Sequence, residues 1–285
     1  MIGKEIHKFA KDLWGINRSL TGEGNRETLK KIKEHVPGMS IESIPTGTKV
    51  FDWTVPNEWK INEAYIITPS GKKICDFSVN NLHIVGYSTP YKGTLSLDEL
   101  QNYLFSLPDQ PTAIPYVTSY YEEKWGFCIS HEDRINLEEG EYEVLIDSEL
   151  FQGVLNYGEL KIQGESKKEV FLSTYICHPS MANNELSGPI VSMGLINFFR
   201  KKKNKKSLKF IFIPETIGSI AFLSQNFSKL KKNVIGGYNL SCIGDNRMHS
   251  CILSKYNSSP SDYALLEAYK DLRINYKRFS FLKRG

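Results

Sequence analysis

The sequence has no pair of cysteines at Cys-x-x-Cys spacing; its five cysteines fall at positions 75, 128, 177, 242 and 251. An odd number without close pairs argues against a disulfide framework or a structural zinc knuckle, and fits a reducing compartment. No uncharged apolar stretch is long enough to cross a bilayer, and the opening Met1-Ile2-Gly3-Lys4-Glu5-Ile6-His7-Lys8 has no apolar core of signal-peptide length. The expectation is a cytoplasmic protein with no membrane partner. Charge imbalance is also small, +4 at pH 7 over 285 residues, and much of it sits in the run Lys201-Lys202-Lys203-Asn204-Lys205-Lys206. A distributed nucleic-acid surface is therefore not expected. The run lies between a predicted helix and a predicted strand and reads as a solvated loop rather than an anion-binding patch. Internal repeats and low-complexity segments are missing as well. What remains is globular, 40% hydrophobic and 24% charged, and long enough for two domains. Oligomeric state is left open.

Ile6, Phe9, Ala10 and Leu13 recur at helical spacing, as do Leu29, Ile32 and Val36, which predicts two amphipathic helices joined by the polar link Asn17 to Asn25. From Ile41 the period changes. Strands are expected at 61–68, 73–79, 82–87, 114–121, 125–130 and 143–147. One helix is expected among them at 96–107, opened by a capping box of Ser96 and Glu99. After about residue 150 strands and helices alternate: strands at 169–176, 208–213 and 236–243, helices at 186–200, 217–232 and 261–272. This pattern predicts an α/β fold with a mostly parallel sheet and flanking helices. The first two helices have no sheet of their own, so residues 1–50 and 150–285 are expected to form one discontinuous domain, interrupted by a β-rich insert at 51–149. The last strand is followed at once by Leu282-Lys283-Arg284-Gly285, so a C-terminally truncated domain is expected.

Ligands of open α/β sheets gather at the carboxyl ends of the strands. Three such ends bear reactive side chains: His178 after the strand ending at Ile176, Glu215 after Ile213, and Asp245 after Ile243. Imidazole and carboxylate oxygen are common zinc ligands. Water on zinc has its pKa lowered to about 7, and a nearby carboxylate can take its proton. Each residue also has a plainer role. His178 could be a turn residue before Pro179, Glu215 could complement a helix dipole, and Asp245 in Gly-Asp-Asn-Arg suits a turn.

The stretch His-Pro-Ser-x-Ala-Asn-x-x-x-Ser-Gly from His178 to Gly188 resembles the metal-binding loop of co-catalytic zinc aminopeptidases. More narrowly, the chain resembles an aminopeptidase-like family of bacterial polysaccharide biosynthesis loci. The matching motifs are Asn17-Arg18-Ser19-Leu20-Thr21-Gly22, Phe51-Asp52-Trp53-Thr54-Val55-Pro56, Ser119-Tyr120-Tyr121 with Trp125-Gly126-Phe127-Cys128, Cys177-His178-Pro179-Ser180 and Pro214-Glu215-Thr216-Ile217-Gly218-Ser219. The resemblance implies an aminopeptidase-like domain with a β-rich insert, often followed by a winged-helix-like domain. It also implies that His178 is the first zinc ligand and that Glu215 is general base or ligand. Asn184 stands where an aspartate would bridge two metals, and Ser241 where another aspartate would sit, with Asp245 nearby. A neutral amide bridges cations poorly, so one zinc ion is expected rather than two. Tyr120, Tyr121 and Trp125, with Trp53 and Trp59, form either a carbohydrate-stacking platform or a small β-core. The implied function is a zinc-dependent hydrolase of an amide bond in a small molecule, peptide or N-acylated glycan. The alternative is an inactive aminopeptidase-like scaffold or binding module.

Overall fold

A computed structural model gives the fold of residues 2–283. The two opening helices form where the periodicity places them, α1 (Ile2–Trp14) and α2 (Glu23–His35). The longer elements that follow are β1 (Ser40–Pro45), β2 (Glu58–Ile67), β3 (Tyr91–Ser96), β4 (Glu141–Phe151), β5 (Val154–Ile162) and β6 (Ser166–Tyr175). After these come α3 (Ser187–Phe199), β7 (Lys206–Ile213), α4 (Ile217–Asn233), β8 (Val234–Leu240) and α5 (Pro260–Asp271).

The main sheet has the order β1-β5-β7-β6-β8. β6 runs parallel to both β7 and β8, which are the three strands read from the alternation after residue 150. β5 and β1 extend the sheet antiparallel, so it is mixed. β5 is hard to read from sequence because Asn156, Gly158, Glu159 and Lys161 interrupt its apolar residues. A second sheet of antiparallel strands, ordered Lys73–Ile74, β2, β4, β3, lies within residues 58–151. Its last strand ends at Phe151, two residues before β5 resumes the main sheet.

Strand alternation sorts the core. Leu208, Phe210 and Phe212 of β7 face the helical layer of α1, α2 and α3, together with Leu13, Leu29, Ile32 and Ile196. Ile211 and Ile213 point the other way, into a core shared by Ile217, Ala221 and Phe222 of α4, by Trp59 and Val144 of the second sheet, and by Tyr87 and Phe127 beside it. Lys209 is 2% exposed inside this run, and its ammonium reaches Glu159 at 2.7 Å, so its stem is buried while its charge is paired.

Several local expectations change: the strand expected at 82–87 is replaced by a 3₁₀ turn at Asn81–His83 with single bridges at Ile84 and Gly86, and those at 73–79 and 125–130 shrink to Lys73–Ile74 and Phe127–Cys128. The Ser96–Glu99 capping box forms, but the helix is only Leu97–Leu100. A 3₁₀ turn follows at Gln101–Tyr103, and Leu104–Phe105 is then recruited as a strand by Phe127–Cys128. Residues 114–121 form no strand beyond a single bridge from Thr118 to Gly86, since Pro115 offers no N–H to a ladder.

At the far end, α5 opens with its own box. Asp262 accepts from the backbone and hydroxyl of both Ser254 and Ser259. Burial pushes its carboxyl up, but these donors outweigh it and hold the pKa at about 2. The depressed value means that its stabilisation is complete above about pH 4 and is lost as pH falls toward 2. Asp262→Ala is expected to lower stability by about 1 kcal/mol. Thermal melts between neutral pH and pH 2 should show a smaller acid loss in the variant than in the parent.

Candidate active site

β6 and β7 are parallel neighbours, so their carboxyl ends deliver Cys177-His178 and Pro214-Glu215 to the same edge of the sheet. At Thr216 the backbone takes φ 53°, a sharp turn that lets α4 start immediately behind Glu215. After His178 the chain makes one turn of π-helix at Ala182–Leu186 and enters α3. Gly188 is needed there: a Cβ would lie 2.0 Å from Thr174 Oγ1 and 2.2 Å from the Leu240 carbonyl oxygen. The glycine lets α3 begin wedged between β6 and β8.

His178 is 6% exposed and flanked by carboxylates on both ring nitrogens. Nδ1 lies 2.6 Å from Glu185 Oε2, and Nε2 lies 3.4 Å from Glu215 Oε1. Burial works against charge on this ring, but the Cys177 sulfur and the two carboxylates override it and hold the imidazole above its ordinary pKa. Glu215 is held below the usual carboxylate range by its hydrogen bond to His178. Cys177 is a buried thiol pushed up by desolvation, and it accepts the Glu215 backbone N–H at 3.3 Å.

Glu185, Arg18 and Tyr116 are site residues that sequence reasoning did not single out. Arg18 is fully buried. Its Nε donates to the His178 carbonyl at 3.1 Å and lies 3.9 Å from Glu185 Oε1, and Nη1 donates to the Leu13 carbonyl at 2.6 Å. Asn25 Oδ1 accepts from the Ser19 N–H and folds the Asn17–Asn25 link beneath the site. For Glu185 and Arg18 the only available signal was a charged residue in each of two motifs otherwise rich in small polar side chains.

Residues 116–121 supply the opposite wall. Tyr116 sets its ring edge-on to His178 at 4.8 Å between centroids and shares a hydrogen bond with the Tyr120 hydroxyl at 3.0 Å. Burial pushes both phenols up. Tyr120, Tyr121 and Tyr116 line a cleft of about 190 Å³ together with Leu20, Cys177, Glu215 and Thr216. Trp125 lies elsewhere, its ring taken up by stacking on Tyr91 and Tyr103 at 4.1 and 3.8 Å.

Among the described residues, Cys177, His178 and Glu185 form the one compact group of metal-binding residue types, with atoms within 4.8 Å. Glu185 and Cys177 both lie at Nδ1, whereas Nε2 pairs with Glu215, which lines the cleft. Neighbouring donors in a tetrahedral zinc site with bonds of about 2.0–2.1 Å are about 3.3 Å apart. The 3.4 Å between Nε2 and Glu215 Oε1 therefore fits two positions of such a site. Asn184 Oδ1 is buried without a hydrogen-bond partner among the described residues. Asp245 does not join this group. Its carboxylate is taken by Arg247, with Nε at 3.0 Å and Nη2 at 2.5 Å, which holds its pKa at about 2. That local pair is the turn role which Gly-Asp-Asn-Arg also permits.

The fold is that of the zinc aminopeptidases. The zinc aminopeptidase BSAP from Bacillus subtilis superposes with a TM-score of 0.67 at 10% identity, covering 98% of this chain and 78% of its own. A peptidase M28 precursor from Shewanella amazonensis superposes with a TM-score of 0.62 at 11% identity, covering 97% and 82%. The chain belongs to the family described as "Domain of unknown function (DUF4910)", whose pattern matches residues 7–285. A Clostridium acetobutylicum protein named for polysaccharide biosynthesis and an aminopeptidase-like domain is 45% identical over 260 residues, 91% of this chain and 59% of the relative. The chain thus spans less than two thirds of that relative's length. A solved Clostridium acetobutylicum structure, described as a peptidase, superposes with a TM-score of 0.95 at 42% identity and covers 99% of this chain and 67% of its own. No helix among the described residues is long and apolar enough to cross a membrane.

Proposed function

We propose that this chain is the aminopeptidase-like part of a zinc-type amide hydrolase acting on a peptide or N-acylated sugar in surface polysaccharide biosynthesis. The observation behind the reading is the pairing of His178 Nε2 with Glu215 Oε1, with Nδ1 already engaged by Glu185. A carboxylate at Nδ1 fixes the tautomer whose Nε2 presents a lone pair, the arrangement in which histidine ligates metal. Bound at Nε2, with Asn184 Oδ1 as an additional donor, zinc would supply an acidified water and polarise the scissile carbonyl. Glu215 moves the proton, and its partial exposure gives it access to the cleft. Tyr116 and Tyr120 shield the His178 side from bulk water and orient the substrate. The polysaccharide setting is supported by the name of the Clostridium acetobutylicum relative. A cytoplasmic setting is supported by five free cysteines.

A second reading, an inactive scaffold, is favoured by two observations. Asn184 is a neutral amide where a bridging acid would be, and Asp245 is committed to Arg247. Zinc content after purification without added metal separates the two. The hydrolase reading expects about one zinc per chain, lost in His178→Ala. A folded parent that holds none leaves the scaffold.

A further inference from the structure

The lysine run of residues 201–206 takes on a different meaning once the fold surrounds it. It forms the loop from α3 into β7, and therefore lies at the amino ends of the parallel strands, opposite His178 and Glu215. Two other basic segments meet it there. Ser166 pairs with Lys206 at the start of β6, next to exposed Lys167 and Lys168. The Lys168 ammonium donates to the Lys232 carbonyl at 3.0 Å, which fixes the end of α4, with exposed Lys229 and Lys231, to the same edge. The loop alone contributes +5 against a chain total of +4, so the charge is concentrated at one pole. Glu165 is an acid on this edge, and Glu169 is buried against Lys161 at 2.6 Å.

Two exposed aromatics belong to the same pole. Phe198, in the last turn of α3, and Phe227, a turn and a half before the end of α4, are each 53% exposed. Each has a lysine over its ring, Lys202 at 5.2 Å and Lys231 at 6.0 Å. Lysine ammoniums around protruding apolar rings suit a negatively charged lipid interface, where rings enter the headgroup layer and cations meet phosphates. Nucleic acid is better gripped by arginines, which bind phosphate bidentately. Here the edge holds lysines, and the flanking Arg200 donates to the Pro37 carbonyl.

We propose that this basic pole is a peripheral docking surface for an anionic lipid membrane, with Phe198 and Phe227 entering the headgroup region. The inference is independent of the hydrolase reading. Docked this way, the sheet stands on its amino-terminal edge. The cleft faces away from the membrane, about 25–30 Å above it for strands of this length.

Co-sedimentation of the chain with vesicles tests the proposal at about 0.1 M salt, where the screening length is about 10 Å. Binding is expected to phosphatidylcholine vesicles containing phosphatidylglycerol, not to phosphatidylcholine alone, and is expected to be lost at high salt. At about fivefold per lysine, K201Q/K202Q/K203Q should lower partitioning roughly a hundredfold, while the triple arginine variant restores it. F198S/F227S should lower it about tenfold with charge unchanged. Equal melting temperatures verify that these surface variants fold. Failure to prefer anionic vesicles overturns the proposal. So does duplex DNA displacing the chain from vesicles while the phenylalanine variant binds as the parent does, which would assign the pole to nucleic acid.

Discussion

Arg18→Met is expected to lower folding stability by about 3–5 kcal/mol, the range for removing one partner of a buried ion pair. The guanidinium is fully buried, pairs with Glu185, and donates to two backbone carbonyls, those of His178 and Leu13. Methionine fills much of the volume but takes the guanidinium away from the buried Glu185 carboxylate, which keeps His178 Nδ1 at 2.6 Å, and takes a donor from the His178 carbonyl, a loss of about 1–3 kcal/mol, while the Leu13 carbonyl keeps the Ile16 N–H. Urea denaturation of single and double variants checks this. Arg18→Met with Glu185→Gln should be more stable than the sum of the singles by about 1–3 kcal/mol, because the stranded charge is gone. A single-variant loss under about 1 kcal/mol would show that the pair does not hold the site together. The same substitution should also loosen the loop that carries His178, since Arg18 is bonded directly to its carbonyl.

The second large effect concerns chemistry. On the proposed hydrolase reading, Glu215→Gln keeps the shape of the side chain and removes its charge, so a general base worth about 10²–10⁴ in rate would be lost. Amide hydrolysis should fall by that factor with little change in melting temperature, because the side chain is 41% exposed. A variant that folds, keeps its zinc and turns over as fast as the parent would remove Glu215 from the mechanism. A proton and zinc compete for the same Nε2 lone pair, so zinc uptake by the parent should strengthen as pH rises. Losing the Glu215 carboxylate lowers the proton affinity of His178 and should flatten that dependence.

Much of the α/β architecture is legible from periodicity. β6, β7 and β8 with α3 and α4 follow from buried apolar strands alternating with amphipathic helices, and the edge they create brings His178 and Glu215 together. What the sequence hides is pairing at a distance. Arg18 meets His178 across 160 positions, and a charged residue in a polar link looks solvated until its partner is known. Glu185 is likewise concealed, because the π-turn that aims it at Nδ1 has no distinct sequence pattern. Asp245 shows the opposite failure. It occupies a strand end where a ligand would sit, yet Arg247 two residues on claims it. Trp125 looks like a binding-surface aromatic, but Tyr91 and Tyr103 on either side consume both of its faces.

The core shared by α4 and the second sheet has one more implication. The two walls of the cleft share one apolar cluster. Residues 58–151 share this apolar cluster with Ile211, Ile213 and Phe222, so excising them would remove part of the packing on which the cleft rests. Selectivity in such a cleft is sculpted by its walls. Exchanging the tyrosine-bearing segment at 116–121 between relatives is the change that should retune which molecules enter, while the machinery at His178 stays as it is.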